Sequence, residues 1–574
     1  MSKLTLSARE IWFQCSHCAR ESYCGQEYEE MNDPEVLCPF CGALMKLGAV
    51  RLDLLNAPPR PAARQARTAQ ATKVAPRPPV PTKDRGGIKD FRAFLRDYEE
   101  QFPDDVFHID KELRAEFECS AVAKKFDERG EYPLIIFHRV VNRNGRVSRF
   151  RASVNVVGDR QKMAFALNSD IDHVGEEWAR RVQGGKRPPV LVPSKQAPCK
   201  ENVVLGNAVD LWEFPVLRIH EMDPGHYISA GLLTCYDPEK RAVNCAYHRG
   251  FVVGPREIRC YLSPGTHNAW NYRAHEELGE EMKVAFWIGH HPAVTMGAHT
   301  HMGYPSDHYE AAGAVLGEPL RVTASETLGD DFLVPADAEV VIEGTMRPGH
   351  RAPEGPFGEY PRYYGPQIMS PVMEVTAVTY RNDAIWDTHM VGMVHDYGGM
   401  QAEHVIYDVV RRAVPQVQRV YLPRSGNGRF HVYLQIKKTH DGQPRAAIMA
   451  TLAAFEWVKH VVVVDNDIDV YSDAQVLWAI ATRSQWDRDL IVVPGCLGSQ
   501  LDPSATRGAE STKAGIDATM PASPRRYPMR VNVPADVMKR INLEDILPAE
   551  QLARRAVGRY SCLPSATDDQ PGAG

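Results

Sequence analysis

At 574 residues, 44% of them hydrophobic, the chain is long enough to bury more than one core, so two large domains plus smaller pieces are expected. A formal net charge of −6 argues against a polyanion as the main partner, and no apolar run reaches the roughly 20 residues of a membrane-crossing helix. With no signal-peptide pattern, the sequence predicts a soluble cytoplasmic protein whose dispersed cysteines (Cys119, Cys199, Cys235, Cys245, Cys260, Cys496, Cys562) are reduced thiols.

The remaining cysteines lie near the N-terminus. Cys15-Ser-His-Cys18 and Cys38-Pro-Phe-Cys41 are CxxC pairs with nineteen residues between them, a spacing that lets two knuckles close a tetrahedral Zn²⁺ site. The competing reading, two redox CxxC motifs, lacks an accompanying thioredoxin-like strand and helix. Cys24 or His17 could stand in for a ligand, although neither improves the spacing. Residues 1–50 are therefore expected to form a small zinc-ribbon-like domain that folds independently of the rest.

Residues 51–87 read as a linker rich in Pro, Ala, Thr and Gln. Eight Lys/Arg against Asp53 and Asp84 make it +6, leaving −12 for the remainder. A basic tether beside a zinc ribbon invites a nucleic-acid partner. The missing aromatic interleaving and the acidic body argue against one, so no nucleic-acid binding is expected.

The span 88–382 then turns globular. Phe91, Phe94, Leu95, Tyr98 and Phe102 recur at helical spacing, and strands are expected at 134–141 and 241–246 among Gly and Pro turns. From 383 the rhythm changes. Helices at 402–414, 445–457 and 473–482 alternate with strands at 418–422, 430–437, 460–465 and 490–493, which predicts an α/β domain over 383–505 with a buried, mostly parallel sheet. The last span, 506–574, should carry residues 512–519 back to the first domain and end in a helical region at 535–560.

The chemistry-bearing residues fall mainly in 88–382. Glu354-Gly-Pro-Phe-Gly-Glu359 sets two carboxylates in a segment suited to a tight turn. If both face one cleft, repulsion and desolvation raise one titration and leave the other group ionised, yielding an acid and a base; the alternative is a surface turn with two solvated glutamates. Upstream, Asn244, His267 and Glu310 offer a carbonyl oxygen, an imidazole and a carboxylate, a set suited to Mn²⁺ or Mg²⁺ with a phosphate completing the sphere. Arg249 is a fixed cation able to pair with Glu354 or with a substrate carboxylate. His290, His291, His299, His301 and His308 lack the helical His pair and carboxylate of a hydrolase site, which favours a phosphate-loop or core role over a second metal.

Taken in order, Asn244-x4-Arg249, His267, Glu310-Ala-Ala-Gly, Glu354-Gly-Pro-Phe-Gly-Glu359 and Thr512-Lys-Ala-Gly-Ile-Asp-Ala-Thr519 resemble the UbiD family of reversible decarboxylases. The resemblance runs from about residue 87 to about 560 and includes 464–469, 481–483 and 501–504. It implies prenylated FMN, with Asn244, His267 and Glu310 holding the metal (Mn²⁺ or Mg²⁺, with K⁺ a further candidate) that binds the flavin phosphate. Cys245, Tyr247, His248, Thr266, Met302 and Lys513 would border the cofactor, and Arg249, Glu354 and Glu359 would be catalytic, Glu359 delivering the proton that replaces CO₂. Ser263, Tyr360 and His404 are candidate pocket residues, joined by Tyr363, Tyr364, His395, Asp396 and residues 401–404.

The implied architecture is a split-barrel, flavin-reductase-like cofactor domain plus an α/β oligomerisation domain, assembled as a homodimer or homohexamer and supplied by a flavin prenyltransferase. The implied activity is non-oxidative decarboxylation of an aromatic, heteroaromatic or α,β-unsaturated carboxylic acid. Tyr247 and His248 are bulkier and more polar than the family pattern, which bears on substrate rather than on cofactor class. A metal-dependent hydrolase and a zinc-ribbon nucleic-acid adaptor are the alternatives.

Overall fold

The computed structural model describes residues 10–25, 31, 34–47, 87–393, 396–505, 509–522, 527–528, 530–531, 533–549 and 551. The linker, apart from Gly87, and residues 550 and 552–560 of the terminal helical region lie outside these residues, as do His395 and Cys562. Two compact units divide the chain, the first ending at Tyr397 and the second comprising Glu128–Gly130 and the residues from Gly398 among those described.

The first unit is built around an antiparallel nine-stranded sheet. Its spine is the pairing of Val340–Glu354 with Ile368–Tyr380, flanked on one side by Met282–Ile288, Leu232–Tyr236 and Val243–Tyr247. On the other side lie Glu257–Cys260, Gly250–Gly254 and His226–Ile228. Ile228, Leu233, Val284, Phe286, Ile342, Met373 and Trp386 belong to its main buried cluster, the largest apolar term in this unit. The strand anticipated at 241–246 forms as Val243–Tyr247.

A four-stranded sheet of Val106–Ile109, Leu134–Phe137, Arg151–Val154 and Ile385–Thr388 lies within the same unit. Residues 383–397, grouped by their rhythm with the α/β domain, therefore carry a strand that pairs with Arg151–Val154 of the first unit. The helix Phe91–Gln101 forms as its spacing predicts: Asp90 caps it by accepting from Ala93 N at 2.8 Å, and Phe91, Phe94, Leu95 and Tyr98 are buried against Leu134 and Ile136. The strand expected at 134–141 breaks after Phe137, and Val140–Val141 pairs instead with Leu113–Arg114.

The N-terminal residues are not a free-standing module. Glu10–Gln14 pairs with Glu21–Gly25, and Glu35–Leu37 with Leu44–Lys46. Phe13, Val36 and Met45 then bury against Met369 of the large sheet. A ribbon this small has little core of its own, so it borrows apolar surface from its neighbour.

The second unit holds a five-stranded sheet in the order Val417–Tyr421, His431–Ile436, His460–Asp465, Glu510–Ala518, Leu490–Leu497. The expected mostly parallel sheet is corrected here: the two inner pairings are parallel and the two outer ones antiparallel. Residues 512–519 do not return to the first unit but run inside this sheet, because their alternation buries Ser511, Lys513, Gly515 and Ile516 between two partner strands. The helix expected from 402 begins at Asp396, running through Gly398-Gly399, a pair whose low helix propensity masks the true start. The strand expected at 490–493 extends over Leu490–Leu497, passing Pro494-Gly495 through a bulge.

Candidate active site

Glu354 is the last residue of the strand Val340–Glu354, and the chain turns at Gly355, whose φ of +87° favours glycine. A Cβ there would sit 2.9 Å from Pro366 O. Phe357–Gly358 pairs with Tyr364–Gly365, after which Glu359 N donates to Tyr363 O at 2.9 Å. This tight return brings the two acids to one cation. Arg249 donates from Nε and Nη2 to the two oxygens of Glu354 at 2.9 and 2.8 Å, and from Nη1 to Glu359 Oε1.

All three groups are withdrawn from water: the side chains of Arg249, Glu354 and Glu359 are 8%, 0% and 12% exposed. Burial works against the Arg249 charge, yet Glu354 and Glu359 outweigh it and raise the guanidinium further above its ordinary value. Burial also raises the Glu359 carboxyl, with Arg249 opposing and Glu354 adding to the rise. Tyr261 and Phe357 flank the guanidinium, their ring centroids 4.3 and 5.0 Å from Cζ, and fix its plane. The arrangement is a buried carboxyl with a raised titration beside a fixed cation, which has the chemistry of a general acid, and is not a solvated surface turn.

Several supports were invisible in the sequence. Tyr227 OH donates to Glu354 Oε1 at 3.0 Å and accepts from Gly355 N at 3.2 Å. Asp223 accepts from Gly358 N at 3.1 Å and from His220 N at 2.8 Å. Gln367 Nε2 donates to Gly355 O at 3.0 Å. Tyr227 and Asp223 lie 127 and 135 residues from their partners in the turn, and none of these supports sits in a motif.

The metal candidates occupy elements that meet. Asn244 lies on Val243–Tyr247, and the helices His267–Leu278 and His308–Leu316, which carry His267 and Glu310, both pack against that strand. The His267 ring reaches the first turn of the second helix, 6.4 Å between centroids from His308. Asn268, held by its own donation to Leu233 O at 3.0 Å, accepts from Asn244 Nδ2 and so turns the Asn244 carbonyl oxygen away as a free ligand atom. His308 bonds Ala298 O through Nδ1 at 2.7 Å; with burial holding its pKa near 4 the ring is neutral, leaving a bare lone pair on Nε2, which is buried without a partner. By chemical type these donors suit a divalent cation, with His308 a further nitrogen beside the three ligands read from sequence, although the ligand atoms of His267, His308 and Glu310 do not gather within 4.8 Å of one another in this structure. Glu310 here pairs with Lys186 at 3.1 Å.

The other predicted residues separate. Tyr247 projects into a cluster with His299, His389 and Tyr397, at 5.1, 4.6 and 5.8 Å between ring centroids. Nε2 of His248 and of His389 is buried without a partner. Cys245 is fully buried in the sheet, its thiol pushed up to about 12 by burial. Thr266 caps its helix by accepting from Ala269 N and donates to Ser263 O. Met302 is half-buried between two helices, and Tyr360 directly follows Glu359. His290 and His291 sit in the core, where His291 caps Pro292–Ala298.

Two predicted residues fall in the second unit. His404 pairs with Asp408 at 3.2 Å, and Lys513 donates to the carbonyls of Leu452 and Glu456 at 3.3 and 3.0 Å.

The zinc candidates converge. Among the described residues, Cys15, Cys18, Cys38 and Cys41 form the one group of His, Cys, Asp or Glu able to surround an ion, their sulfurs all within 4.8 Å of one another. Cys15–Cys41 and Cys18–Cys38 approach to 3.6 Å, close to the ~3.8 Å edge of a tetrahedron with 2.3 Å Zn–S bonds.

Comparison with known proteins bears on the family and the fold. Residues 101–182, 190–394 and 395–518 match the N-terminal, Rift-related and C-terminal domains of 3-octaprenyl-4-hydroxybenzoate carboxy-lyase. An anhydromevalonate phosphate decarboxylase of Methanothermobacter thermautotrophicus is 31% identical over 76% of this chain and 99% of its own. A phenolic acid decarboxylase of a Streptomyces species is 30% identical, over 76% and 93% respectively. The UbiD-class enzyme HmfF of Pelotomaculum thermopropionicum, solved with FMN, superposes with a TM-score of 0.74 at 36% identity, covering 80% of this chain and all of that one. Its evolved dimeric form, solved with prenylated FMN, gives 0.71 at 34% identity over the same shares.

Proposed function

The chain belongs to the UbiD family and is a decarboxylase of that family, and from that premise we propose that it reversibly and non-oxidatively decarboxylates an aromatic or heteroaromatic acid with prenylated FMN. The observation that carries this reading is the buried Arg249 clamp on Glu354 and Glu359. When the bond from ring carbon to CO₂ breaks, its electron pair stays on carbon, and that carbon needs a proton where the carboxylate stood. Glu359 is the donor: burial keeps its carboxyl protonated to higher pH than an ordinary glutamate. Arg249, locked by two hydrogen bonds to Glu354, orients a substrate carboxylate at the mouth of the turn. Bound prenylated FMN supplies the electron sink for the departing CO₂.

Asn244, His267 and Glu310, with His308 beside them, would hold Mn²⁺ or Mg²⁺ and through it the flavin phosphate. Tyr247, His248 and Met302 would border the flavin. The four N-terminal cysteines would hold Zn²⁺ in a ribbon. A split-barrel cofactor domain, an α/β oligomerisation domain, cytoplasmic residence and a homo-oligomer fed by a flavin prenyltransferase complete the reading. No helix among the described residues is long and apolar enough to cross a membrane.

For substrate, Nε2 of His389, buried without a partner where its ring meets Tyr247, is a polar atom that a plain acrylate would leave unpaired. Acids bearing a further hydroxyl, heteroatom or carboxylate are therefore expected to turn over better than cinnamic or sorbic acid. The test is purification after co-expression with a flavin prenyltransferase, mass spectrometry of the released flavin, and CO₂ release across such a panel. Absence of a modified flavin would overturn the reading. Preference for simple acrylic acids would overturn only the substrate class.

A further inference from the structure

The four-cysteine knuckle abuts the active site. Leu37, the residue before Cys38, donates its N–H to Gln367 Oε1 at 2.9 Å and accepts at its carbonyl from Gln367 Nε2 at 2.9 Å. That same Nε2 donates at 3.0 Å to Gly355 O, the residue after Glu354. Gln367 is fully buried, so its amide spans a thiolate knuckle on one side and the turn of the catalytic glutamate on the other. Leu37 also packs against the cluster of Tyr227, Phe251 and Phe357, and Tyr227 is the hydroxyl on Glu354. Arg218 Nη2 adds a contact to Pro39 O at 3.1 Å, inside the second knuckle.

Strand Glu35–Leu37 has only three residues, and the small apolar cluster of its hairpin, Val36, Met45 and Leu47, is built around Cys15, Cys24 and Cys38. Isolated hairpins of this size are marginal in water, so a metal bridging the knuckles decides whether Leu37 is held in place. A buried amide with three directed bonds is costly to leave half-satisfied, so loss of Leu37 would release Gln367 from Gly355 as well.

We propose that the metal-bound N-terminal knuckle is a structural clamp on the active site, with Gln367 the positioning residue that transmits its order to the Glu354 turn. The inference rests on the decarboxylase and zinc readings above. It differs from an appended domain because it makes turnover depend on zinc while flavin binding does not.

The test uses full-length holoenzyme and three variants, Gln367→Met, Cys18→Ser and Cys41→Ser. Zinc is measured by release to a chromogenic chelator, flavin by absorbance, and the mobility of 354–358 by hydrogen exchange with mass spectrometry. Gln367→Met should keep its zinc and flavin, exchange 354–358 at least about tenfold faster, and lower kcat about tenfold with KM little changed, the effect of losing one or two neutral hydrogen bonds. The cysteine variants should lose zinc and show the same exchange and kcat changes with flavin retained. Unchanged exchange at 354–358 in Gln367→Met overturns the clamp, and this variant decides the matter if the cysteine variants precipitate. A wild-type protein free of zinc overturns the metal reading. Zinc and exchange results as expected, in a protein that releases no CO₂ from any acid, would instead count against the decarboxylation reading alone.

Discussion

Replacing Glu359 by Gln isolates the proton from everything else the residue does. Its amide oxygen can still accept from Arg249 Nη1, and the Arg249–Glu354 pair at 2.8 and 2.9 Å is untouched, so fold and flavin content should not change. A side chain only 12% exposed leaves little room for bulk water to replace the lost acid. Loss of a positioned general acid costs about 10²–10⁴ in rate, or about 2.7–5.5 kcal/mol of transition-state stabilisation. The sign of the pH effect comes from burial: a carboxyl raised above 4.5 stays protonated to higher pH, so wild-type turnover should fall as pH rises through that raised value. The variant should lose this limb. Single-turnover CO₂ release and deuterium exchange into the decarboxylated product should fall together. Turnover within tenfold of wild type, or a surviving alkaline limb, would refute Glu359 as the donor.

Glu310→Ala and His267→Ala should each purify with markedly less manganese and flavin, read by elemental analysis and absorbance, because a phosphate dianion loses its counter-charge; full occupancy of both would dismiss these ligands. Arg249→Met should destabilise the first unit by about 3–5 kcal/mol by stranding Glu354 in a buried site. Adding Glu354→Gln should recover part of that loss in denaturant titrations, and strict additivity would argue against the pair. Acidification should also destabilise the protein. Burial lowers His290 and His291 to about 3 and His226, His248 and His308 to about 4. Below about 6.5 the unfolded chain takes up protons that the folded one refuses, so their stabilisation is complete above that pH and is lost on descent towards 4, by about 1.4 kcal/mol per pH unit for each histidine. Burial raises Asp337 to about 6 and Asp387 to about 7, which works in the opposite sense, so the net loss from pH 6.5 to 5 is several kcal/mol. A thermal midpoint that stays flat or rises over that range would contradict this.

What the sequence determined by itself was local. The Glu354 to Glu359 turn was legible because Gly355 and Pro356 restrict the backbone within six residues, and the cysteine knuckles because CxxC spacing alone brings two sulfurs together. The helix at Phe91–Gln101 was legible because its apolar spacing and Asp90 cap act within a few turns. Arg249 was named, but only the tertiary fold shows one guanidinium serving both acids, since 105 and 110 residues separate the partners. Gln367 bonds to Leu37 across 330 residues, and Tyr227 to Glu354 across 127, with no periodicity to announce either contact. The 512–519 strand was misplaced for the same reason: alternation says that a strand is buried, while its neighbours are chosen by sheet pairing that no local pattern encodes. Short-range sterics and ligand spacing are written along the chain, but burial, and with it the raised carboxyl of Glu359, exists only once distant strands have closed around it.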